Sequence, residues 1–141
     1  MSKLNKWSPH ALAALRIMTA LLFIEHATMK FFAFPAAMQG MPDPMPPMII
    51  AAGAIELVTG TLIALGLFTR PAAFLASGTM AVAYFIGHAM SGGFWPALNQ
   101  GEAAIMFCFI FFYLIFSGPG SFSLDALLRR GRRDESRIAS A

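Results

Sequence analysis

Four apolar stretches divide this chain, separated by short segments, and most of its charges lie before the first stretch and after the fourth. They run over about residues 9–34, 46–68, 71–90 and 101–116. At about 1.5 Å of rise per residue, each approaches the roughly 30 Å hydrocarbon core of a bilayer, the fourth being the shortest. Lipid offers nothing to pair with backbone N–H and C=O groups, so each stretch is predicted as a helix. The pattern therefore predicts an all-α, integral membrane four-helix bundle.

Local chemistry at the boundaries agrees. Ser8-Pro9 sets a capping residue before a proline at the first helical position, where the missing N–H does no harm. Pro46-Pro47 and Arg70-Pro71 open the second and third stretches in the same way. Asn99 followed by Glu102 has the spacing of a capping box. Gly53, Leu57 and Gly60 would let the second helix pack closely on a neighbour. After the fourth stretch Gly118-Pro119-Gly120 breaks the helix, and Ser123 then caps a short interfacial one. Its Leu124, Leu127 and Leu128 would face the membrane, with Arg129 and Arg130 at the headgroups. Residues 1–128 thus read as one transmembrane domain and 129–141 as a basic, disordered tail.

Lys3 and Lys6 before the first stretch imitate a signal peptide. A signal core is an uninterrupted run of about 7–15 apolar residues. This stretch is longer and contains Arg16, Glu25, His26 and Lys30, so it is expected to stay in the mature protein.

Composition sharpens the class. The chain is 57% hydrophobic and 12% charged, about half the charged fraction of a soluble domain. Of its 10 Lys and Arg residues, Arg129, Arg130, Arg132, Arg133 and Arg137 lie in the tail. There they would meet anionic membrane lipids, so the net charge of +3 is not read as a nucleic-acid footprint. Segments 36–45 and 91–100 lack lysine and arginine. The positive-inside rule then places both termini in the cytoplasm of a bacterium, with the chain in the inner membrane. Trp7 and Trp95 fall at opposite interfaces. The lone Cys108 can form neither an internal disulfide nor a Cys-x-x-Cys pair and reads as a small core hydrophobe.

Ionisable groups inside a span are costly and mark candidate sites. Arg16, Glu25, His26 and Lys30 lie in the first span, Glu56 in the second, His88 late in the third, and Asn99 and Glu102 at the start of the fourth. Glu25 and Glu56 lie about 14–15 Å from the outer ends, and the rest except Arg16 also fall in the outer half. One outward cavity could gather most of them. At about 100° per residue, Arg16, His26 and Lys30 share a face while Glu25 points the other way, which favours a central helix or a homo-oligomer. Glu56 can pair with Arg16 or Lys30, an arrangement that either fixes packing or serves binding. Met38, Met41, Met45 and Met48 surround the outer loop as adaptable hydrophobes, and no metal is assigned to them. No P-loop, dinucleotide, haem or Ser-His-Asp pattern is present, so no catalytic set is identified.

Taken in order, Glu25-His26-x-x-x-Lys30, Gly53-x-x-Glu56-Leu57-x-x-Gly60, Leu65-Gly66-Leu67-Phe68-Thr69-Arg70, His88, Asn99-x-Gly101-Glu102 and Gly118-Pro119-Gly120-x-x-Ser123-Leu124-Asp125 resemble the DoxX family of small four-helix membrane proteins. The resemblance implies a link to respiratory or oxidative-stress redox chemistry, in which relatives accompany quinone-linked or soluble redox enzymes. It settles no catalytic residue. Three functions follow as expectations. The first is an accessory, quinone-interacting redox subunit, with Glu56, His88, Glu25 or Tyr84 bonding the quinone head. The second is a non-catalytic membrane anchor for a soluble or membrane redox enzyme. The third is a small-solute carrier acting as an oligomer. Quinone is the only cofactor these expectations name.

Overall fold

The computed structural model describes residues 2–139, which are mostly helical with no strand among them. Four long apolar helices pack together: α1 (Ser8–Phe32), α2 (Pro47–Leu65), α3 (Thr69–Gly92) and α4 (Glu102–Ser117). A fifth, α5 (Leu124–Ala139), follows them. Single helical turns lie at Ser2–Asn5 and Pro96–Asn99. The helices α1, α2 and α3 are long and apolar enough to cross a membrane, while α4 has 16 residues. Large apolar side chains cover the outside of the bundle, among them Leu21, Leu22, Val58, Phe74, Phe85, Phe109 and Phe112. Such a surface suits lipid and not water.

The helices pack in the order α1 on α2, α2 on α3 and α3 on α4, with α4 returning to α1. Small residues set the first contact: a Cβ at Gly60 would lie 2.7 Å from Ile24, and one at Gly53 would lie 2.7 Å from the Phe31 ring. The helix backbones can approach because those side chains are missing. Phe23 and Phe111 meet edge to face at 4.7 Å and close the seam between α1 and α4.

One end of the bundle is tied by polar contacts. There α2 stops at Gly66, whose φ of 66° is left-handed. The Leu67 N–H donates to the Leu62 carbonyl at 2.9 Å, a Schellman ending. The Asp125 N–H donates to the Gly66 carbonyl at 2.9 Å, and the Ser121 N–H to the Pro9 carbonyl at 3.1 Å. The Asp125 carboxylate accepts from the Phe68 and Thr69 N–H groups at 3.0 and 3.1 Å and so caps α3 from outside. Ser123 accepts from the Ala126 N–H at 3.2 Å and caps α5 as its sequence suggests. Arg70, Arg129 and Arg130 follow on these turns, and this is the basic end of the molecule.

Two local expectations differ from the structure. Asn99 and Glu102 form no capping box, because α4 starts at Glu102 and its cap position is Gly101, two residues after Asn99. Helix α5 does not stop at Leu128 but continues to Ala139, so the described part of the tail is helical and not irregular. Arginine and glutamate are good helix formers, which outweighs the single Gly131.

Candidate functional site

Lys30 of α1 and Glu56 of α2 form an ion pair in the bundle interior. The ammonium donates to both carboxylate oxygens, at 2.6 Å to Oε1 and 2.5 Å to Oε2. The Glu56 side chain is 3% exposed and that of Lys30 11%. Gly53, one turn from Glu56, makes room for the lysine stem: a Cβ there would lie 3.3 Å from Lys30 Cδ. In a medium of low dielectric neither charge could stand alone.

Arg16 is not the partner of Glu56. Its guanidinium is fully buried at the basic end. It donates to the carbonyls of Ile63 at 2.6 Å, Ala64 at 2.8 Å and Phe122 at 2.9 Å, with Ser121 at 3.5 Å. The carbonyls that end α2 carry partial negative charge, and Arg16 bonds two of them, Ala64 and Ile63, the latter also accepting from the Gly66 N–H at 3.0 Å. Fourteen residues of helix, about 21 Å, separate Arg16 from Lys30, too far to share Glu56.

Beside the ion pair a cavity of about 830 Å³ opens between the far halves of α2 and α3, with α1 and α4 as its floor. Its walls are mostly apolar, including Phe23, Ile55, Phe74, Leu75, Met80 and Phe107. Polar groups gather toward the end away from the arginines: His26, Lys30, Glu56, His88 and Gln100. Met38, Met41 and Met48 border it as well, adding soft apolar surface at the loop side.

Each imidazole is held by a backbone carbonyl. His26 Nδ1 lies 2.9 Å from the Leu22 carbonyl oxygen, and its ring meets Phe107 edge to face. His88 Nδ1 lies 3.0 Å from the Asn99 carbonyl oxygen. His88 sits in a π-helical stretch of α3, Tyr84–Ala89. The wider turn of i→i+5 bonding brings Gly87 and His88 round to the face already lined by Thr79 and Ala83. With α-helical spacing His88 would stand about 180° from Thr79.

The remaining candidates fall outside the cavity. Glu25 and Glu102 are exposed, Glu25 on the side of α1 that its helical angle predicts. Asn99 is buried but organises the turn before α4: its Nδ2 donates to the Gly93 carbonyl at 2.7 Å and its Oδ1 accepts from the Gly101 N–H at 2.8 Å. The Tyr84 hydroxyl donates to the Phe94 carbonyl at 2.5 Å, so it serves the same loop and not a ligand. Gln100 belongs to the cavity although no sequence signal marks it: it ends a single helical turn with a φ of 60°, a position usually filled by glycine or asparagine. Among the described residues no three His, Cys, Asp or Glu side chains come together in a way that could hold a metal ion.

Comparison with known proteins agrees with this architecture. The chain is 46% identical to an uncharacterized protein of Haemophilus influenzae, across 89% of this chain and 96% of that one. It is 33% identical to the inner membrane protein YphA of Escherichia coli, across 83% and 89% of the two chains. An uncharacterized membrane protein of Mycobacterium tuberculosis is 26% identical across 90% and 86%. No solved structure matches. The DoxX family model matches residues 11–89, which include the ion pair, both cavity histidines and the basic turn, and the chain belongs to the DoxX family of membrane proteins.

Proposed function

We propose that this protein is a four-span subunit of a bacterial inner-membrane redox system and binds a quinone-like amphipath in the cavity between α2 and α3. The observation that carries the reading is the cavity itself. It runs beside α2 and α3 between mostly apolar side chains, with His26, Lys30, Glu56, His88 and Gln100 among the few polar groups that line it. Such a shape receives an isoprenoid tail along its walls and a ring at its head. In this reading α4 is the fourth span, and the basic end faces the cytoplasm, as Arg70, Arg129 and Arg130 favour.

The test is to purify the protein gently and quantify co-extracted quinone, oxidised and reduced forms counted together, by mass spectrometry. About one quinone per chain is expected. Gly78→Leu is the matched control, because Gly78 borders the cavity and a Cβ there meets nothing within 4 Å. The leucine would fill the cavity and should abolish retention without unfolding the bundle. Equal quinone in both preparations overturns the reading.

Helix α5 favours a second role beside the first. It leaves the bundle as four turns rich in arginine, a surface for anionic lipid or for an acidic soluble redox enzyme. Truncation after Gly131 should then weaken recovery of such an enzyme on the membrane. Undiminished recovery would remove α5 from any docking role.

A further inference from the structure

The polar head of the cavity holds more hydrogen-bond acceptors than donors. His26 Nδ1 and His88 Nδ1 each lie within 3.0 Å of a backbone carbonyl oxygen. A carbonyl only accepts, so in each neutral ring Nδ1 carries the proton and Nε2 is left with a lone pair. Glu56 adds further lone pairs, since two carboxylate oxygens offer about four acceptor sites and Lys30 takes one on each oxygen.

Donors are fewer: beside the two N–H groups of the Gln100 amide at the cavity rim, the interior offers little. Lys30 has a single N–H left after bonding Glu56 twice. The Thr79 hydroxyl is turned to the Leu75 carbonyl at 2.8 Å and the Tyr84 hydroxyl to Phe94. A dione head brings only acceptors, so it would desolvate both imidazoles without pairing them. A head with two hydroxyls supplies the protons that the site lacks.

Resting on the reading of this cavity as an amphipath site, we propose that it selects a head that donates hydrogen bonds. Its occupant is then a hydroxyl-bearing, membrane-soluble molecule of the hydroquinone type, and not the corresponding dione. His26 and His88 are the residues that read the two hydroxyls.

The experiment compares three probes on the purified full chain under anaerobic conditions: a decyl-substituted hydroquinone, its dione, and its dimethyl ether. Equilibrium dialysis gives the three affinities. The hydroquinone should bind at least about tenfold more tightly than either other probe, because a site built to bond hydroxyls rejects analogues lacking them. His26→Asn and His88→Asn keep a donor near the Nδ1 position and remove the Nε2 lone pair. Each should reduce that ratio, and the double variant should bring it close to one while apolar binding persists. Equal affinities in the unaltered protein, or tighter binding of the dione, overturn the donor selectivity and leave the amphipath site standing. If none of the three binds, the amphipath reading falls and the selectivity with it.

Discussion

Lys30 and Glu56 show what a bilayer interior demands of single residues. Each is largely sequestered from solvent, and each carries a charge that the other neutralises. Glu56→Gln keeps the shape and strands the ammonium, and breaking a buried pair in this way costs about 3–5 kcal/mol. A clear fall in the detergent melting temperature is therefore expected. The double variant Lys30→Met with Glu56→Leu removes both charges and should recover most of that loss. If both variants melt with the unaltered protein, the pair contributes nothing to the fold. Arg16→Lys makes a different point. Lysine retains the charge but not the planar fork that reaches the carbonyls of Ile63, Ala64 and Phe122 together. Hydrogen bonds from a charged donor are each worth about 1.5–3 kcal/mol, so thermal melting should detect the change. An unaltered melt would mean that water replaces the lost contacts.

Among the elements, the turn between α2 and α3 has the least freedom. A Cβ at Gly66 would sit 2.5 Å from Ser123 Cβ and 2.7 Å from Arg16 Nη1, in a left-handed backbone. Gly66→Ala should therefore destabilise strongly, since strain and overlap add. Gly78→Ala is the contrasting case, in the interior of α3 with open space at its Cβ. That substitution should stabilise by about 0.5–1 kcal/mol through lower backbone entropy in the unfolded chain. Urea or thermal melts of the two alanine variants should move in opposite directions, and a shared direction would contradict the packing described here. Asp125→Ala uncaps α3 from α5 and should cost about 1 kcal/mol.

At the scale of the whole molecule, the N-terminus of α1, the α2–α3 turn and the α4–α5 turn share one end, where the basic residues collect. Reporter fusions at the C-terminus and in the loop of residues 36–45 should place the first in the cytoplasm and the second across the membrane. The opposite result would invert the proposed orientation. Helix α4 has 16 residues, about 24 Å of helix against a core of roughly 30 Å. Local thinning of the bilayer, or the Pro96–Asn99 turn and α5 lying at the two interfaces, accommodates such a shortfall at modest cost.

The sequence by itself determined the helical class, the membrane setting, the extents of α1 to α4 within a few residues, and the family. These follow from solvent preference along the chain, because hydropathy and backbone satisfaction in lipid act locally. It also placed Glu56 in the interior and pointed Glu25 away from His26 and Lys30, since helical angle is a local property. Only the tertiary structure decided between Lys30 and Arg16 as the partner of Glu56, because that choice depends on how α1 and α2 align in depth. It alone showed that Arg16 closes the end of α2, that the π-helical stretch turns His88 toward the cavity, and that Tyr84 and Asn99 serve a loop. Gln100 joined the site for the same reason. Which side chains meet is set by contacts between residues far apart in the chain, and no periodicity within one helix encodes them.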